Sequence, residues 1–210
     1  MSFSDAELAE LLDVLNQDGE PTGEVLPRGV VHARGEWHRS FHLWIINGDG
    51  LVLFQRRADS KQVEPGRIDV SAAGHFGAGE DLEAVLREVD EELGFLPDEA
   101  DLHHLVSRAT ERFYSDVTDH EFQDVYLLCR DAPLQSYQLD CEETSVLYEV
   151  PVEAAIRLHR DGTPVAVAGW DCQGRVNNAL LHEADLIERA RTETVEVLRL
   201  IRDWWSARQP

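Results

Sequence analysis

The sequence predicts a single α/β domain in which one mixed β-sheet lies between helices. Strand patterns occur both before and after one central helical segment, and a long helical pattern closes the chain. No low-complexity linker or internal repeat divides the 210 residues, a length that suits one domain with terminal additions. Hydrophobic residues make up 43% of the chain and charged residues 29%, as in an ordinary globular protein.

The central helical segment spans residues 74–95 and begins with a glycine-rich loop. Its apolar residues recur at steps of three and four, which predicts one buried helix face formed by Leu82, Val85, Leu86, Val89 and Leu93. Asp81 is placed to cap the start of this helix, and Gly94 is placed to end it in a left-handed conformation.

Three carboxylates crowd this helix. Glu88 lies three residues before Glu91 and four before Glu92, so the three side chains project from neighbouring rows. Most charge runs are solvated helix faces, in which water screens the repulsion. The alternative is a bound cation, and Mg²⁺ commonly combines a few protein carboxylates with phosphate oxygens.

Residues 87–95 (REVDEELGF) resemble the REUxEExGU core of the Nudix box, and Gly74 and Glu80 match its start. One departure is that six residues, rather than seven, separate Glu80 from Arg87. The resemblance implies the Nudix fold, an α/β/α sandwich, with Mg²⁺ or Mn²⁺ held by Glu88, Glu91 and Glu92. Gly74, Glu80, Arg87 and Gly94 then have structural roles, with Arg87 pairing with Glu80 or Glu91.

Charge and composition restrict the partners. The formal charge of −22 repels nucleic-acid backbones and anionic membranes, so neither is an expected partner. No apolar stretch approaches 18 residues, and the N-terminus lacks a signal-peptide pattern. Cys129, Cys141 and Cys172 form no CxxC pair, which predicts reduced thiols in a cytoplasmic protein.

Elements before the acidic helix follow from apolar patterns and turn signals. A short helix is predicted at 4–12, strands at 12–15 and 22–26, and a loop or short helix at 27–37. Strands at 38–46 and 51–55 flank an NGDG turn at 47–50, which predicts a hairpin. A short strand at 68–73 leads into the glycine loop.

Elements after the acidic helix are predicted in the same way. Strand patterns occur at 102–107, 112–115, 122–129 and 146–150, with a polar loop at 116–119. A helix with proline at its first position is predicted at 151–160, and residues 165–168 are ambiguous. The prediction is thus one domain over 1–210, with an N-terminal helical and strand extension and a long C-terminal helix at about 182–208.

Much of residues 12–162 resembles the branch of Nudix proteins related to isopentenyl-diphosphate isomerase, with landmarks at 68–75 (IDVSAAGH) and 120–126 (HEFQDVY). The resemblance implies a second divalent metal site, with an acidic neighbour near Asp119, formed by His32, His38, His75 and Glu121. Such a mixed imidazole and carboxylate set suits zinc or manganese. Arg57 and Lys61 resemble the basic pair that binds the diphosphate in that branch.

The chemistry of this chain differs from that of the isomerases. They carry a catalytic cysteine immediately before the Gly-His pair, where this chain has Ala73, and alanine is neither an acid nor a base. They also lack the full glutamate set. These differences favour metal-assisted hydrolysis of a diphosphate linkage in a nucleoside diphosphate derivative or another organic diphosphate. The candidate catalytic residues are Glu88, Glu91 and Glu121, with Glu88 the first choice as base and Glu121 the alternative.

Two other functions stay open at this point. One is an isopentenyl-diphosphate isomerase with altered chemistry, and the other is a catalytically silent domain that binds a diphosphate. The partner is in every case a small-molecule diphosphate, and the sequence leaves both its identity and the choice between monomer and homodimer undecided.

Overall fold

The computed structural model describes residues 10–61, 63–113, 118–187 and 191–209. These residues form one sheet of eleven strands and five α-helices. The strands are β1 (Leu11–Leu15), β2 (Pro21–Pro27), β3 (Trp37–Ile46), β4 (Leu51–Arg57), β5 (Ile68–Asp69), β6 (Ala72–His75), β7 (Leu102–Phe113), β8 (Thr118–Cys129), β9 (Thr144–Pro151), β10 (Val165–Asp171) and β11 (Val176–Leu181). The helices are α1 (Arg28–Arg34), α2 (Leu82–Val85), α3 (Arg87–Leu93), α4 (Val152–Asp161) and α5 (Arg191–Ser206).

The sheet is mixed, as the sequence predicts. Its main path runs β11-β10-β9-β4-β3-β1-β2, while β6 and β8 pair with β3, β7 pairs with β8, and β5 pairs with β4. β3 and β8 run parallel, with His38 opposite Glu121, and the other strand pairs are antiparallel. The predicted hairpin of β3 and β4 is confirmed.

Helices cover both faces of the sheet. Because side chains alternate along a strand, β3 contributes to two cores. Trp44 and Ile46 pack in the core that contains residues of α4 and α5, whereas Leu43 and Ile45 pack in the core that contains residues of α2 and α3. The predicted α/β/α layering is therefore confirmed.

The acidic segment forms two helices rather than the single helix predicted. Asp81 caps α2 by accepting a backbone hydrogen bond, and Gly94 ends α3 with a φ of 72°. Between the helices, the Leu86 carbonyl accepts a hydrogen bond from the Val89 N–H at 3.0 Å. This bond spans three residues instead of four, so it tightens the chain at Leu86 and interrupts the helix.

The C-terminal helix prediction and the end of the N-terminal helix prediction need correction. α5 begins at Arg191 rather than near 182, because Glu183–Asp185 is a 3₁₀ turn and the buried Leu186 bridges to Ile68. Residues 4–9 of the predicted N-terminal helix and residues 188–190 lie outside the described residues. Leu12 belongs to β1, where it is fully buried. No helix in the described part of the chain is long and apolar enough to span a membrane.

Several strands differ from the prediction in extent. The patterns at 102–107 and 112–115 belong to one strand, β7, and residues 114–117 lie outside the described residues. The pattern at 68–73 is divided between β5 and β6, and the ambiguous segment 165–168 is part of β10. The sequence does not predict β11, because two asparagines interrupt its apolar residues, and Val176 and Leu180 of this edge strand are exposed.

The expectation of three reduced thiols is wrong for two of them. Cys141 and Cys172 form a disulfide with their Cα atoms 5.3 Å apart, and Cys129 is a free, exposed cysteine. The two bonded cysteines lie 31 residues apart in sequence. They meet because β9 and β10 are paired, and the Cys172 N–H donates to the Ser145 carbonyl at 2.9 Å. A spacing rule based on near-neighbour cysteines does not detect such a pair.

Candidate active site

A cavity of about 210 Å³ lies on the sheet face that carries α4 and α5, with Trp44 and Phe54 in its wall. Glu88 and Glu92 of α3 also line it. Glu88 lies directly against Gly74 of β6, since a Cβ added at Gly74 would be 2.3 Å from the Glu88 Cγ. Any larger residue at this position would displace Glu88 from the cavity.

Glu92 is the most buried of the three glutamates. Its side chain is only 6% exposed, and its Oε2 accepts hydrogen bonds from the Gln55 Nε2 and the Ala73 N–H, both at 3.1 Å. Burial raises the pKa of Glu92 to about 8. The structure therefore fixes one carboxylate in a position where its charge is costly, which is typical of a functional site.

Glu88 and Glu91 differ in position. Burial, with the nearby charge of Glu91, raises the pKa of Glu88 to about 7 although Arg87 opposes the shift. Arg87 donates to the Glu88 Oε1 at 2.9 Å and to the Glu80 Oε2 at 2.7 Å, so the shorter spacing still allows the Glu80–Arg87 pair. Glu91 is exposed and lines a separate groove. The predicted glutamate set is thus divided, with two members in the cavity.

The predicted histidines converge at the cavity, although they come from different elements. His32 of α1, His38 of β3 and His75 of β6 have ring centroids 5.1 to 5.6 Å apart. The parallel register of β3 and β8 brings Glu121 beside His38, and the ligand atoms of His38, Asp119 and Glu121 lie within 4.8 Å of one another. One ring nitrogen from each of His32, His38 and His75 also lies within 4.8 Å of the other two.

This cluster fits a divalent metal. The His38 Nε2 and the Asp119 Oδ1 are buried, lie 3.6 Å apart and have no hydrogen-bond partner among the described residues. Unsatisfied buried polar atoms are costly, and a bound cation would satisfy both. Burial lowers the pKa of His38 and of His75, so both imidazoles are neutral and can offer a lone pair.

The two carboxylates of the cluster have opposite pKa shifts. Burial, with the charge of Glu121, raises the pKa of Asp119 to about 7. Burial alone would raise the pKa of Glu121 as well, but Arg112 and neighbouring groups lower it to about 2. The Arg112 Nη1 donates to the Glu121 Oε2 at 3.1 Å, and the Gln123 Nε2 donates to the same oxygen at 2.6 Å. Glu121 is therefore a fixed anion.

Arg57 and Lys61 also line the cavity, as their predicted substrate-binding role requires, but each already has an acidic partner. The Arg57 Nη1 donates to the Asp69 Oδ2 at 3.1 Å, and the Lys61 Nζ forms an ion pair with Glu143. These pairs position the two side chains and reduce their net positive charge.

The sequence prediction missed several polar residues in the cavity wall or directly behind it. Thr144 donates to the Gln55 Oε1, and Gln55 in turn donates to Glu92, so two buried residues orient a predicted ligand. Arg108 and Arg112 lie four residues apart on β7, on the same face of the strand, and line the cavity. Their even spacing, which places both side chains on one face of a strand, was the available signal for these two arginines.

Comparisons with known proteins point to one family. The family model described as NUDIX domain matches residues 36–167. The chain is 40% identical over 151 residues to Nudix hydrolase 3 of Arabidopsis thaliana, which covers 69% of this chain but 19% of that protein. It is 31% identical over 151 residues to an uncharacterized Nudix hydrolase of Clostridium acetobutylicum, with 70% and 73% covered. The chain thus spans about a fifth of the Arabidopsis relative and most of the clostridial one.

Two further similarities concern the branch and the fold. The isopentenyl-diphosphate Delta-isomerase of Rhizobium rhizogenes is 37% identical over 91 residues, which are 43% of this chain and 44% of that protein. The crystal structure of DR0079 from Deinococcus radiodurans has a TM-score of 0.57 at 24% identity, with 70% of this chain and 86% of that chain covered. This structural similarity concerns the fold alone.

Proposed function

Because the chain belongs to the Nudix family, we propose that it hydrolyses the pyrophosphate linkage of a small organic diphosphate in the cavity between α3 and the histidine cluster. The observation that carries the proposal is Glu92, a buried carboxylate that Gln55 and the Ala73 N–H hold at the cavity wall. Such a costly arrangement is expected where a cation and a phosphate group bind together.

Two sets of residues would hold divalent cations. Glu88 and Glu92 suit Mg²⁺ or Mn²⁺, while His32, His38, His75, Asp119 and Glu121 suit a metal that accepts nitrogen ligands. When bound, such ions polarise phosphoryl oxygens and lower the pKa of water. Glu91 is exposed outside the cavity, so the proposal gives it no part in the reaction.

Glu88 is the proposed general base. A base works best when its pKa lies near the working pH, and in the absence of metal burial raises the pKa of Glu88 to about 7. Glu121 is less suited, because Arg112 and neighbouring groups lower its pKa well below the ordinary range and make it a weak proton acceptor. Arg87 bridges Glu80 and Glu88 and so positions the base.

The test is a screen of nucleotide and non-nucleotide diphosphates with Mg²⁺ and with Mn²⁺, read as release of phosphate-containing products. Glu92→Gln should reduce turnover of any substrate found by at least about 100-fold, because an amide is a poor ligand for a hard cation. Glu91→Gln is the matched control on the same helix and should stay within a few-fold of the wild type, since Glu91 is exposed.

Circular dichroism would show that both variants keep the fold. Full activity of Glu92→Gln would contradict the proposed site. Binding of diphosphates, seen as a thermal shift without turnover by the wild type, would instead indicate a catalytically silent domain.

Isomerase activity is the second candidate, favoured by the similarity to the Rhizobium isomerase. The cavity wall argues against it: Ala73 lines the cavity, Cys129 is exposed, and Cys141 and Cys172 are bonded to each other. No cysteine thiol therefore faces the cavity. Incubation with isopentenyl diphosphate and divalent metal should give no dimethylallyl diphosphate, and formation of that product would reverse the ranking of the two candidates.

A further inference from the structure

Five basic side chains line the cavity of a chain whose formal charge is −22. Four of them lie within 4.0 Å of a carboxylate: Arg28 with Glu10, Arg57 with Asp69, Lys61 with Glu143, and Arg112 with Glu121. The fifth, Arg108, has no carboxylate within 4.0 Å among the described residues. Its positive charge is therefore the least compensated in the cavity.

Two neutral acceptors hold the Arg108 guanidinium. Its Nε donates to the Gln123 Oε1 at 3.0 Å, and its Nη1 donates to the Glu193 carbonyl at 3.2 Å. Gln123 is oriented from its other side, because its Nε2 donates to Glu121. The carboxylates of Glu193 and Glu196 act on Arg108 only from longer range. These bonds fix the guanidinium without neutralising it, which is how arginine is arranged to receive an oxyanion.

Arg108 lies across the cavity from α3. Strands β7, β8, β3 and β6 are successive neighbours in the sheet. At about 4.8 Å per spacing, β7 is roughly 14 Å from β6. Glu88 and Glu92 meet β6 at Gly74 and Ala73. If the diphosphate binds beside these glutamates, the rest of the substrate would therefore extend toward β7 and Arg108.

We propose that Arg108 binds a second oxyanion of the substrate, a phosphate or a carboxylate at the end away from the diphosphate. This inference rests on the proposed function and specifies the substrate class as compact diphosphates that are anionic at both ends. Compactness follows from the cavity volume of about 210 Å³. Ligand pockets are commonly roughly 300 to 1,000 Å³.

The test compares three probes by calorimetric titration in the presence of Ca²⁺, so that binding is measured independently of turnover. Isopentenyl diphosphate has no second anion, 5-diphosphomevalonate has a carboxylate, and 5-phosphoribosyl 1-diphosphate has a phosphate. At least one doubly anionic probe should bind the wild type about 10-fold or more tightly than isopentenyl diphosphate, and whichever does so identifies the oxyanion.

Arg108→Gln should remove this preference by weakening the doubly anionic probe about 10- to 100-fold, while isopentenyl diphosphate changes less than about twofold. Arg108→Lys should keep part of the preference because it keeps the charge. Arg160→Gln removes an exposed arginine that does not line the cavity and should change nothing.

Three results would overturn the inference. The first is that the wild type shows no preference among the probes, and the second is that Arg108→Gln weakens the binding of all three probes equally. The third applies if Arg108→Gln does not fold, and is that Arg108→Lys keeps the full preference. The second result would mean that Arg108 binds the diphosphate itself. Because these are binding data, absence of hydrolysis would refute the proposed function and leave the second subsite standing.

Discussion

Opening the Cys141–Cys172 disulfide should destabilise the protein by an amount that depends on the length of the loop that the bond closes. The bond closes a loop across a sequence separation of 31 residues. The chain-entropy relation for a loop of that length gives about 3.7 kcal/mol at 25 °C. For a domain of this size, that corresponds to a fall in the midpoint of thermal unfolding of roughly 10 °C. The assay is urea unfolding with and without dithiothreitol.

Variants separate this disulfide from other effects of the reductant. Cys172→Ser should be less stable than the wild type by about 3.7 kcal/mol and should not respond to dithiothreitol. Cys129→Ser is the matched control, because this free cysteine is exposed and its variant should behave as the wild type does. Three titratable thiols in the native, unreduced protein would refute the pairing. If full reduction does not shift the urea unfolding curve of the wild type, the calculated destabilisation is refuted.

The same bond should affect the candidate active site. Cys141 precedes Glu143, which pairs with Lys61, and Thr144, which donates to Gln55. Gln55 in turn donates to Glu92. Reduction frees one end of this short segment, so we expect the Michaelis constant of any substrate to rise several-fold at a temperature where the reduced protein stays folded.

Two further predictions concern ionisable groups. Without metal, the contribution of Glu92 to stability should be lost as pH rises from about 4.5 to about 8, because burial raises the folded-state pKa of Glu92 to about 8 from an ordinary 4.5. Glu92→Gln should flatten this dependence in urea unfolding between pH 5 and 9. His38→Gln should bind Zn²⁺ or Mn²⁺ at least about 10-fold more weakly than the wild type in calorimetric titrations, because His38 supplies a buried, neutral nitrogen.

For each of these two predictions, a specific experimental result would contradict it. The direction of the pH dependence follows from the raised pKa of Glu92. A group with a raised pKa stabilises the folded protein at low pH, and this stabilisation is lost as pH rises through the pKa of the folded state. Wild type and Glu92→Gln whose stabilities change in parallel between pH 5 and 8 in the absence of metal would contradict it. For the metal, His104→Gln is the matched control because His104 is exposed and outside the cavity. Equal losses in both variants would mean that the cluster is not the binding site.

The layered fold was predictable from local signals. Apolar periodicity located the acidic helices, and the turn at residues 47–50 located the β3–β4 hairpin. Where the prediction failed, contacts with other segments decide the structure. Leu186 has an extended backbone and bridges to Ile68, and β11 is defined by its pairing with β10. Neither pairing follows from the residues of its own segment alone.

The candidate site likewise combines features that could be predicted from the sequence with features that could not. Resemblance to the family indicated His32, His38, His75 and Glu121, and the structure brings these residues together. The separation of Glu91 from the cavity depends on the direction in which α3 faces the sheet, which the spacing of three and four residues does not specify.

The charge balance of the cavity gives a physical reason for metal dependence. Seven acidic and five basic residues line it, so its wall has a formal excess of two negative charges. A diphosphate would meet net repulsion there, within a chain that is itself strongly acidic. Two divalent cations would reverse the sign of the wall. Asp69 and Glu143 hold Arg57 and Lys61 at the cavity wall, while Arg108 keeps an uncompensated charge for the substrate. Diphosphate binding should therefore require divalent metal.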